Sequence, residues 1–221
     1  MSAASRAHQR SNRTPQPDRR TPQSPNRTRG RAVLLTSGAA VAALLLSACG
    51  SGGTKGGGGG TGFVTGTDGI ATVAKADRIP APELSGETID GKQLDVADYK
   101  GKIVVLNVWG SWCGPCRLEA KNFVKVDADV KDQGVQFVGI NTRDTNTGPA
   151  VAFEKSYGVT YPSLYDPTGR LMLRFKKGTL NPQTIPSTLV LDRDGKVAAR
   201  SLSALSEEKL RKMLKPILAE K

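Results

Sequence analysis

Residues 103–119 read IVVLNVWGSWCGPCRLE, and this stretch decides the fold of the 221-residue chain. Residues 103–108 are apolar apart from Asn107 and rich in β-branched side chains, which predicts a buried strand. A short turn follows, and Pro115 suits the first turn of a helix, where its missing N–H is not needed. The pattern therefore predicts a Cys-x-x-Cys motif at a strand-to-helix junction, with Cys113 at or near the helix N-cap.

This position has chemical consequences for the two cysteines. The free backbone N–H groups and the positive dipole end of a helix stabilise an anion at its N-terminus. We therefore expect the pKa of the Cys113 thiol to lie below its free value of about 8.5, which makes it the nucleophile. Cys116 lies one turn deeper and is placed to attack a mixed disulfide formed at Cys113. The chemistry predicted is thiol–disulfide exchange.

Two other uses of a Cys-x-x-Cys motif compete with this one. A structural zinc site needs two further ligands, and the chain offers only a third cysteine, Cys49, and one histidine, His8, both far upstream. A purely structural disulfide is the second alternative, but a bridge that closes so short a loop constrains the unfolded chain little. Ligand supply and loop length favour a redox-active disulfide that works without a metal or bound cofactor.

The charge of the chain is unevenly distributed. There are 32 basic and 20 acidic residues, a formal net charge of +12. Residues 1–31 are polar and Pro-rich and hold eight of the arginines, which predicts a disordered segment. The remaining basic residues form no stripe interleaved with aromatic residues, so we expect no nucleic-acid binding.

The next segment is typical of a secretory signal. Residues 32–48 are uncharged and apolar, and at 17 residues they are short for a membrane span of about 20. They end in LSAC at 46–49, which resembles a bacterial lipobox, in which the cysteine is lipidated. We therefore expect a signal peptide over 1–48 and a lipidated Cys49; an uncleaved membrane anchor is the alternative. Residues 49–77 are Gly-rich and predict a flexible tether, which leaves a folded domain over 78–221.

The pattern of the domain alternates strands and helices. A hairpin is expected over 84–94, and after the motif the apolar runs predict the order β-α-β-α-β-β-α. Ser206 is expected to cap a final helix with one apolar face. Alternation of this kind predicts an α/β domain with a mixed sheet.

The run VVLNVWGSWCGPCR-x-E resembles the active-site signature of the thioredoxin superfamily, and within it the membrane-anchored TlpA/ResA-like thiol–disulfide oxidoreductases of bacteria. The similarity extends from about residue 79 to the C-terminus. It implies a thioredoxin-like fold, in which helices flank a mixed central sheet, with an N-terminal β-hairpin extension and an inserted helix.

The resemblance also implies roles for particular residues. Pro186 matches a cis-proline that lies against the cysteine pair, and Glu119 matches a carboxyl proposed to handle a proton. Asn107 stands where many thioredoxins carry a buried Asp. A solvated helix face is the alternative for Glu119. The expected substrate groove comprises Trp112, Gly114, Pro115, Ile185 and Pro186.

The function implied is reduction of protein disulfides at the extracytoplasmic face of the cell membrane. A membrane thiol carrier would supply electrons, and apocytochrome c is a client that the resemblance suggests. A peroxiredoxin-type peroxidase is an alternative, although its P-x-x-x-T-x-x-C pattern has Thr where Gly110 stands. A non-enzymatic binding lipoprotein is another. The segment 176–185 is longer than the family leads us to expect and should lie near the groove.

Overall fold

A computed structural model of the chain describes residues 60–220. The predicted signal peptide and Cys49 lie outside these residues. The strands are β1 Val64–Thr65, β2 Ile70–Thr72, β3 Ser85–Glu87, β4 Gln93–Asp95, β5 Ile103–Trp109, β6 Val135–Thr142, β7 Ser163–Asp166, β8 Ser187–Leu191 and β9 Val197–Ser201. The α-helices are α1 Gly114–Val130, α2 Thr147–Tyr157, α3 Arg170–Leu173 and α4 Glu207–Leu218.

The centre of the structure is a seven-stranded mixed sheet with the order β1-β2-β9-β8-β5-β6-β7. Strands β5, β6 and β7 are parallel, while β8 runs antiparallel to β5. Every residue of β5 is buried, as its unbroken apolar run predicts for a central strand covered on both faces. Strands β3 and β4 form the separate hairpin predicted ahead of the motif.

Two apolar layers cover the sheet. One contains side chains of α1 and α4, among them Phe123 and Leu210, packed on Val105 of β5 and Phe137 of β6. The other lies beneath the hairpin and α3 and includes Leu106. The predicted α/β thioredoxin-like fold, with helices on both sides of a mixed sheet and an N-terminal hairpin, is confirmed.

The ends of the helices follow the signals in the sequence. Asn146 caps α2 through a hydrogen bond to the backbone N–H of Gly148, and Ser206 caps α4. Helix α2 ends at Gly158, whose φ of +72° is the left-handed conformation that glycine adopts at no steric cost. No helix within residues 60–220 is long and apolar enough to cross a membrane.

The predicted boundary between tether and domain at residue 77 is wrong. Strand β2 pairs antiparallel with β9 and extends the sheet by one strand, to which β1 adds another. Phe63, Ile70 and Val73 are buried in the core. The sequence pattern missed these apolar residues because they are widely spaced among glycines. The folded domain begins upstream of residue 78.

A buried ion-pair cluster fastens this segment to the end of the chain. The guanidinium of Arg78 pairs with Asp192 at 3.1 Å and with Glu220 at 2.5 Å, and its Nε donates to the carbonyl oxygen of Val73. Because the side chains of Arg78 and Asp192 are only 5% and 7% exposed, these charges depend on each other.

Candidate active site

The cysteine pair lies at the start of α1, as predicted. Cys113 and Cys116 form a disulfide, and Cys113 is the N-cap residue of the helix, with extended backbone angles. Its Sγ accepts a hydrogen bond from the backbone N–H of Cys116 at 3.2 Å. Both cysteines are buried, whereas Gly114 and Pro115 between them are exposed. The helix start therefore offers its free N–H groups to the sulfur of Cys113.

The turn before the helix is shaped by Gly110 and Trp112. The indole of Trp112 folds back over Gly110, and its Nε1 donates to the carbonyl oxygen of Thr142 at 3.3 Å. A Cβ atom at Gly110 would lie 2.6 Å from this Nε1, closer than real contacts allow. Trp112 remains 47% exposed beside the cysteines. The turn thus needs glycine at 110 to present the indole to solvent.

Asp144 holds the same turn from the other side, a role that the sequence analysis missed. Its carboxylate accepts hydrogen bonds from the backbone N–H of Ser111 at 2.9 Å, the Ser111 hydroxyl at 2.5 Å and Nδ2 of Asn141 at 2.7 Å. The Tyr165 hydroxyl donates to the Asp144 carbonyl oxygen. The available signal was the polar run directly after β6, because carboxyl ends of parallel strands are where sites form.

Trp109, in contrast, belongs to the core. Its ring stacks on Phe153 with centroids 4.4 Å apart, in a cluster that also contains both cysteines. Its Nε1 donates to Ser163 Oγ at 3.3 Å, and that hydroxyl donates to Glu154 at 2.7 Å. A Cβ at Gly139 would lie 2.7 Å from Nε1 of Trp109, so this glycine gives the indole its place on the sheet.

Glu119 is buried, with a relative exposure of 2%, so the solvated-face alternative is wrong. Its Oε1 accepts from Asn107 Nδ2 at 2.9 Å and its Oε2 from the backbone N–H of Leu205 at 2.8 Å. Burial raises its pKa to about 7, against the lowering effect of these two donors. Glu154 is the second carboxyl whose pKa rises to about 7, again mainly through burial.

A small cavity separates Asn107 from Cys116. Its volume of about 10 Å³ is at the lower limit for one water molecule, and Trp109 and Tyr161 complete part of its wall. Glu119 lies one helical turn beyond Cys116 on the same buried side of α1. Asn107, which donates a hydrogen bond to the Glu119 carboxyl, therefore lines the same cavity as Cys116.

Ile185 and Pro186 stand directly before β8. The peptide bond between them is cis, and Pro186 is buried just before β8. Ile185 packs against the cluster that holds both cysteines. Of the five predicted groove residues, Trp112, Gly114 and Pro115 are exposed, and Ile185 is half-buried.

The segment 176–185 is tied to the site through Arg143. Nη2 of Arg143 donates to the Pro182 carbonyl oxygen at 2.6 Å, and the same guanidinium lies 5.9 Å from the centroid of the Trp112 ring. At the other end of the segment, Arg200 of β9 donates to the carbonyl oxygens of Gly178 and Thr179.

No group of three or more His, Cys, Asp or Glu side chains within residues 60–220 is arranged to hold a metal ion. The redox-capable element of this site is the cysteine pair itself.

A model of the AhpC/TSA family matches residues 78–200. The chain belongs to the AhpC/TSA family. Among relatives of this AhpC/TSA chain is the thiol-disulfide oxidoreductase ResA of Bacillus subtilis (strain 168), 33% identical over 127 residues, which are 58% of this chain and 68% of ResA.

Solved structures of similar proteins agree with this assignment. A DsbF homologue from Corynebacterium diphtheriae is 36% identical with a TM-score of 0.63, covering 68% of this chain and 94% of that one. A secreted thiol-disulfide isomerase from Corynebacterium glutamicum is 28% identical with a TM-score of 0.66, covering 74% and 100%. Within the AhpC/TSA family, the chain is a thiol–disulfide oxidoreductase of the thioredoxin superfamily, as its sequence predicts.

Proposed function

We propose that this chain reduces disulfides in extracytoplasmic proteins, with Cys113 as the attacking and Cys116 as the resolving thiol. The observation that carries the assignment is the hydrogen bond from the Cys116 N–H to Sγ of Cys113 at the helix N-cap. The Cys113 thiolate attacks a client disulfide, forming a mixed disulfide and releasing one client thiolate. Cys116 then attacks Sγ of Cys113, which releases the second client thiolate and leaves the enzyme oxidised.

The surroundings of the cysteines support the reducing direction. Strong oxidants of this chemistry owe their potency to a very acidic attacking thiol. Here Gly114 and Pro115 carry no charge, and the Arg117 guanidinium donates to the carbonyl oxygen of Ser111. The thiolate is therefore stabilised mainly by the helix N-terminus, and the disulfide should be correspondingly hard to reduce.

The reduction potential of the Cys113–Cys116 pair tests this direction. We expect a value near the −270 mV or so of thioredoxin and well below the −120 mV or so of the strong oxidant DsbA. Equilibration of the protein with glutathione or thioredoxin redox buffers, followed by alkylation and mass spectrometry, measures it. A potential near that of DsbA would make the chain a disulfide-forming enzyme instead.

We also propose that Glu119 exchanges a proton with Cys116. Replacing Glu119 with Gln should remove an inflection near pH 7 from the alkylation rate of Cys116, measured by mass spectrometry between pH 5 and 9. Glu154→Gln is the matched control. The pKa of Glu154 is also raised to about 7, but its carboxyl accepts a hydrogen bond from Ser163, whereas that of Glu119 accepts one from Asn107. Superimposable profiles of the wild type and Glu119→Gln would refute the role.

The same substitution has a stability signature. The folded-state pKa of Glu119 is about 7, above its ordinary value of 4.5, so the folded protein holds this proton more tightly than the unfolded chain. The resulting stability is fully present below pH 4.5 and is lost as the pH rises to 7, a fall of about 3 kcal/mol. Glu119→Gln should remove this part of the pH dependence in urea unfolding.

The proposed location rests on the segment upstream of the described residues. We propose that the chain is an extracytoplasmic lipoprotein with Cys49 as the lipidated first residue, since LSAC follows an apolar stretch. The Corynebacterium glutamicum relative is a secreted protein. Mass spectrometry of the membrane-extracted protein should find an N-terminal Cys49 carrying acyl chains. An unmodified N-terminus at another residue would contradict the anchor.

The proposed partners are disulfide-bearing clients, of which apocytochrome c is one, and a thiol carrier in the membrane. Extracytoplasmic compartments are generally oxidising. A reductant that works there needs a continuous supply of electrons, so its activity should depend on such a carrier.

The turn at Gly110 argues against the peroxidase alternative. The peroxiredoxin pattern has Thr three residues before the reactive cysteine, where this chain has Gly110. The Trp112 indole fills the space that a side chain at position 110 would need. The Cys113–Cys116 disulfide at the helix start favours redox chemistry over a non-enzymatic binding lipoprotein.

A further inference from the structure

Two arginines flank the exposed Trp112 beside the cysteine pair. On one side, Nε and Nη2 of Arg117 donate to the Ser111 carbonyl oxygen at 3.0 and 2.6 Å. On the other side, the Arg143 guanidinium lies over the Trp112 ring and donates to the Pro182 carbonyl oxygen. Both arginines are exposed, and each is fixed close to the turn by these contacts. We call Arg117 and Arg143 the cationic rim.

The positive charge of the cationic rim is largely uncompensated. Each guanidinium is bound to neutral carbonyl oxygens, and no carboxylate within residues 60–220 lies at ion-pair distance from either. Asp144 follows Arg143 in the chain, but it is buried and its carboxylate oxygens accept hydrogen bonds from Ser111 and Asn141. The exposed side of the site therefore carries surplus positive charge.

The backbone of Arg143 gives an independent reason to assign it a function. Its φ of +60° makes it the non-glycine residue with a left-handed backbone among residues 60–220. This conformation is disfavoured for a side chain of its size and persists where neighbouring contacts enforce it, often at functional sites. Here its neighbours Thr142 and Asp144 both bind the active-site turn. The enforced conformation places the guanidinium on the Trp112 ring.

We propose that the cationic rim selects client disulfides whose cysteine is flanked by Asp or Glu. The inference rests on the proposed function, which supplies the attack by Cys113. An acidic residue one or two positions from the client cysteine would approach the rim while the exposed Trp112 face contacts the peptide beside it. Complementary charge at such a site speeds encounter and fixes register more than it adds affinity.

Three peptides test the proposal. Each carries one cysteine, joined through a disulfide to the same uncharged fluorescent thiol, and the residues flanking the cysteine are Glu, Gln or Lys. The fluorescent thiol is chosen with a pKa below that of the peptide cysteine, so it is the better leaving group and Cys113 of the reduced chain, in a Cys49→Ser background, attacks the peptide sulfur. The rate of release of the fluorescent thiol then reports the first exchange step. We expect the Glu peptide to react about three- to tenfold faster than the Lys peptide.

Salt and substitutions separate charge from structure. Raising the ionic strength from about 0.01 M to 1 M shortens the screening length from about 30 Å to 3 Å and should bring the Glu and Lys rates together. Arg143→Ala and Arg117→Ala should each lower the ratio of the two rates, and Arg143→Lys should retain most of it. Arg193→Ala is the control. The carbonyl oxygen of Arg193 accepts a hydrogen bond from Gly101, just before the start of β5, whereas the active site lies beyond the other end of this strand. Arg193→Ala should leave the ratio unchanged.

Two results would overturn the inference. The first is equal rates for the three peptides with the wild-type chain, which would leave the oxidoreductase activity intact and remove only the selectivity. The second is an Arg143→Ala chain that slows all three peptides by the same factor, since Arg143 would then only position Trp112. Failure to react with any of the peptides would instead contradict the proposed function.

Discussion

Replacing Cys116 with Ser should accumulate mixed disulfides between Cys113 and client proteins, whereas Cys113→Ser should abolish exchange. The first variant keeps the attacking sulfur at the helix N-cap but lacks the thiol that resolves the intermediate. The second lacks the nucleophile, and a serine hydroxyl, un-ionised at neutral pH, cannot replace it. We expect the exchange rate of Cys113→Ser to fall by more than about 10³-fold.

The experiment is sharpest when each variant has a single cysteine. Both substitutions are made in a Cys49→Ser background, and insulin serves as the disulfide substrate. Non-reducing electrophoresis and mass spectrometry then show the covalent adduct, which dithiothreitol should release. An adduct formed by Cys113→Ser and not by Cys116→Ser would reverse the roles of the two cysteines.

Removing the Arg78 side chain should lower the free energy of unfolding by more than removing one partner of a surface ion pair. Arg78→Ala leaves Asp192 and Glu220 without their cation, in a site where Arg78 and Asp192 are almost wholly buried. Breaking a buried pair in this way destabilises by about 3 kcal/mol. Urea unfolding should show a midpoint lowered by about 1 M or more at an unchanged slope.

A surface pair provides the control for Arg78. Lys92 and Asp90 lie 2.7 Å apart, but their side chains are 79% and 53% exposed, so Lys92→Ala should cost less than about 1 kcal/mol. The Arg78 effect should also shrink in acid. The Arg78 guanidinium lowers the pKa of Glu220, so the stability it provides is present above the ordinary pKa and is lost as the pH falls. Equal losses for both variants at neutral pH would contradict a buried cluster.

The central part of the fold could be predicted because local signals and tertiary packing agree there. The apolar run of β5, the proline in the first turn of α1 and the Gly158 and Ser206 caps each specify an element without reference to distant residues. The cysteine pair could be placed at the helix start for the same reason. The burial of Glu119 was harder to predict. Its carboxyl accepts hydrogen bonds from Asn107 and Leu205, which are distant in sequence, and the residues around Glu119 in the chain do not indicate these partners.

The features that sequence reasoning missed depend on contacts between distant segments. Asp144 is one acidic residue in a polar loop, and only the fold brings it to Ser111. Gly139 looks like a weak point in a strand, but its missing side chain makes room for Trp109. Arg143 gains its place from a backbone conformation that no local pattern encodes.

The pairing of β2 with β9 has a consequence for handling the protein as a fragment. The family match ends at 200 and begins at 78, so a fragment cut to those limits would lose β2 and α4 together. It would uncover the hydrogen-bonding edge of β9 and the apolar layer under α4. An unpaired strand edge beside exposed apolar surface is a template for self-association. Fragments for crystallisation or labelling should therefore start at or before residue 60 and keep the C-terminal helix. We expect fragments that lack these parts to precipitate.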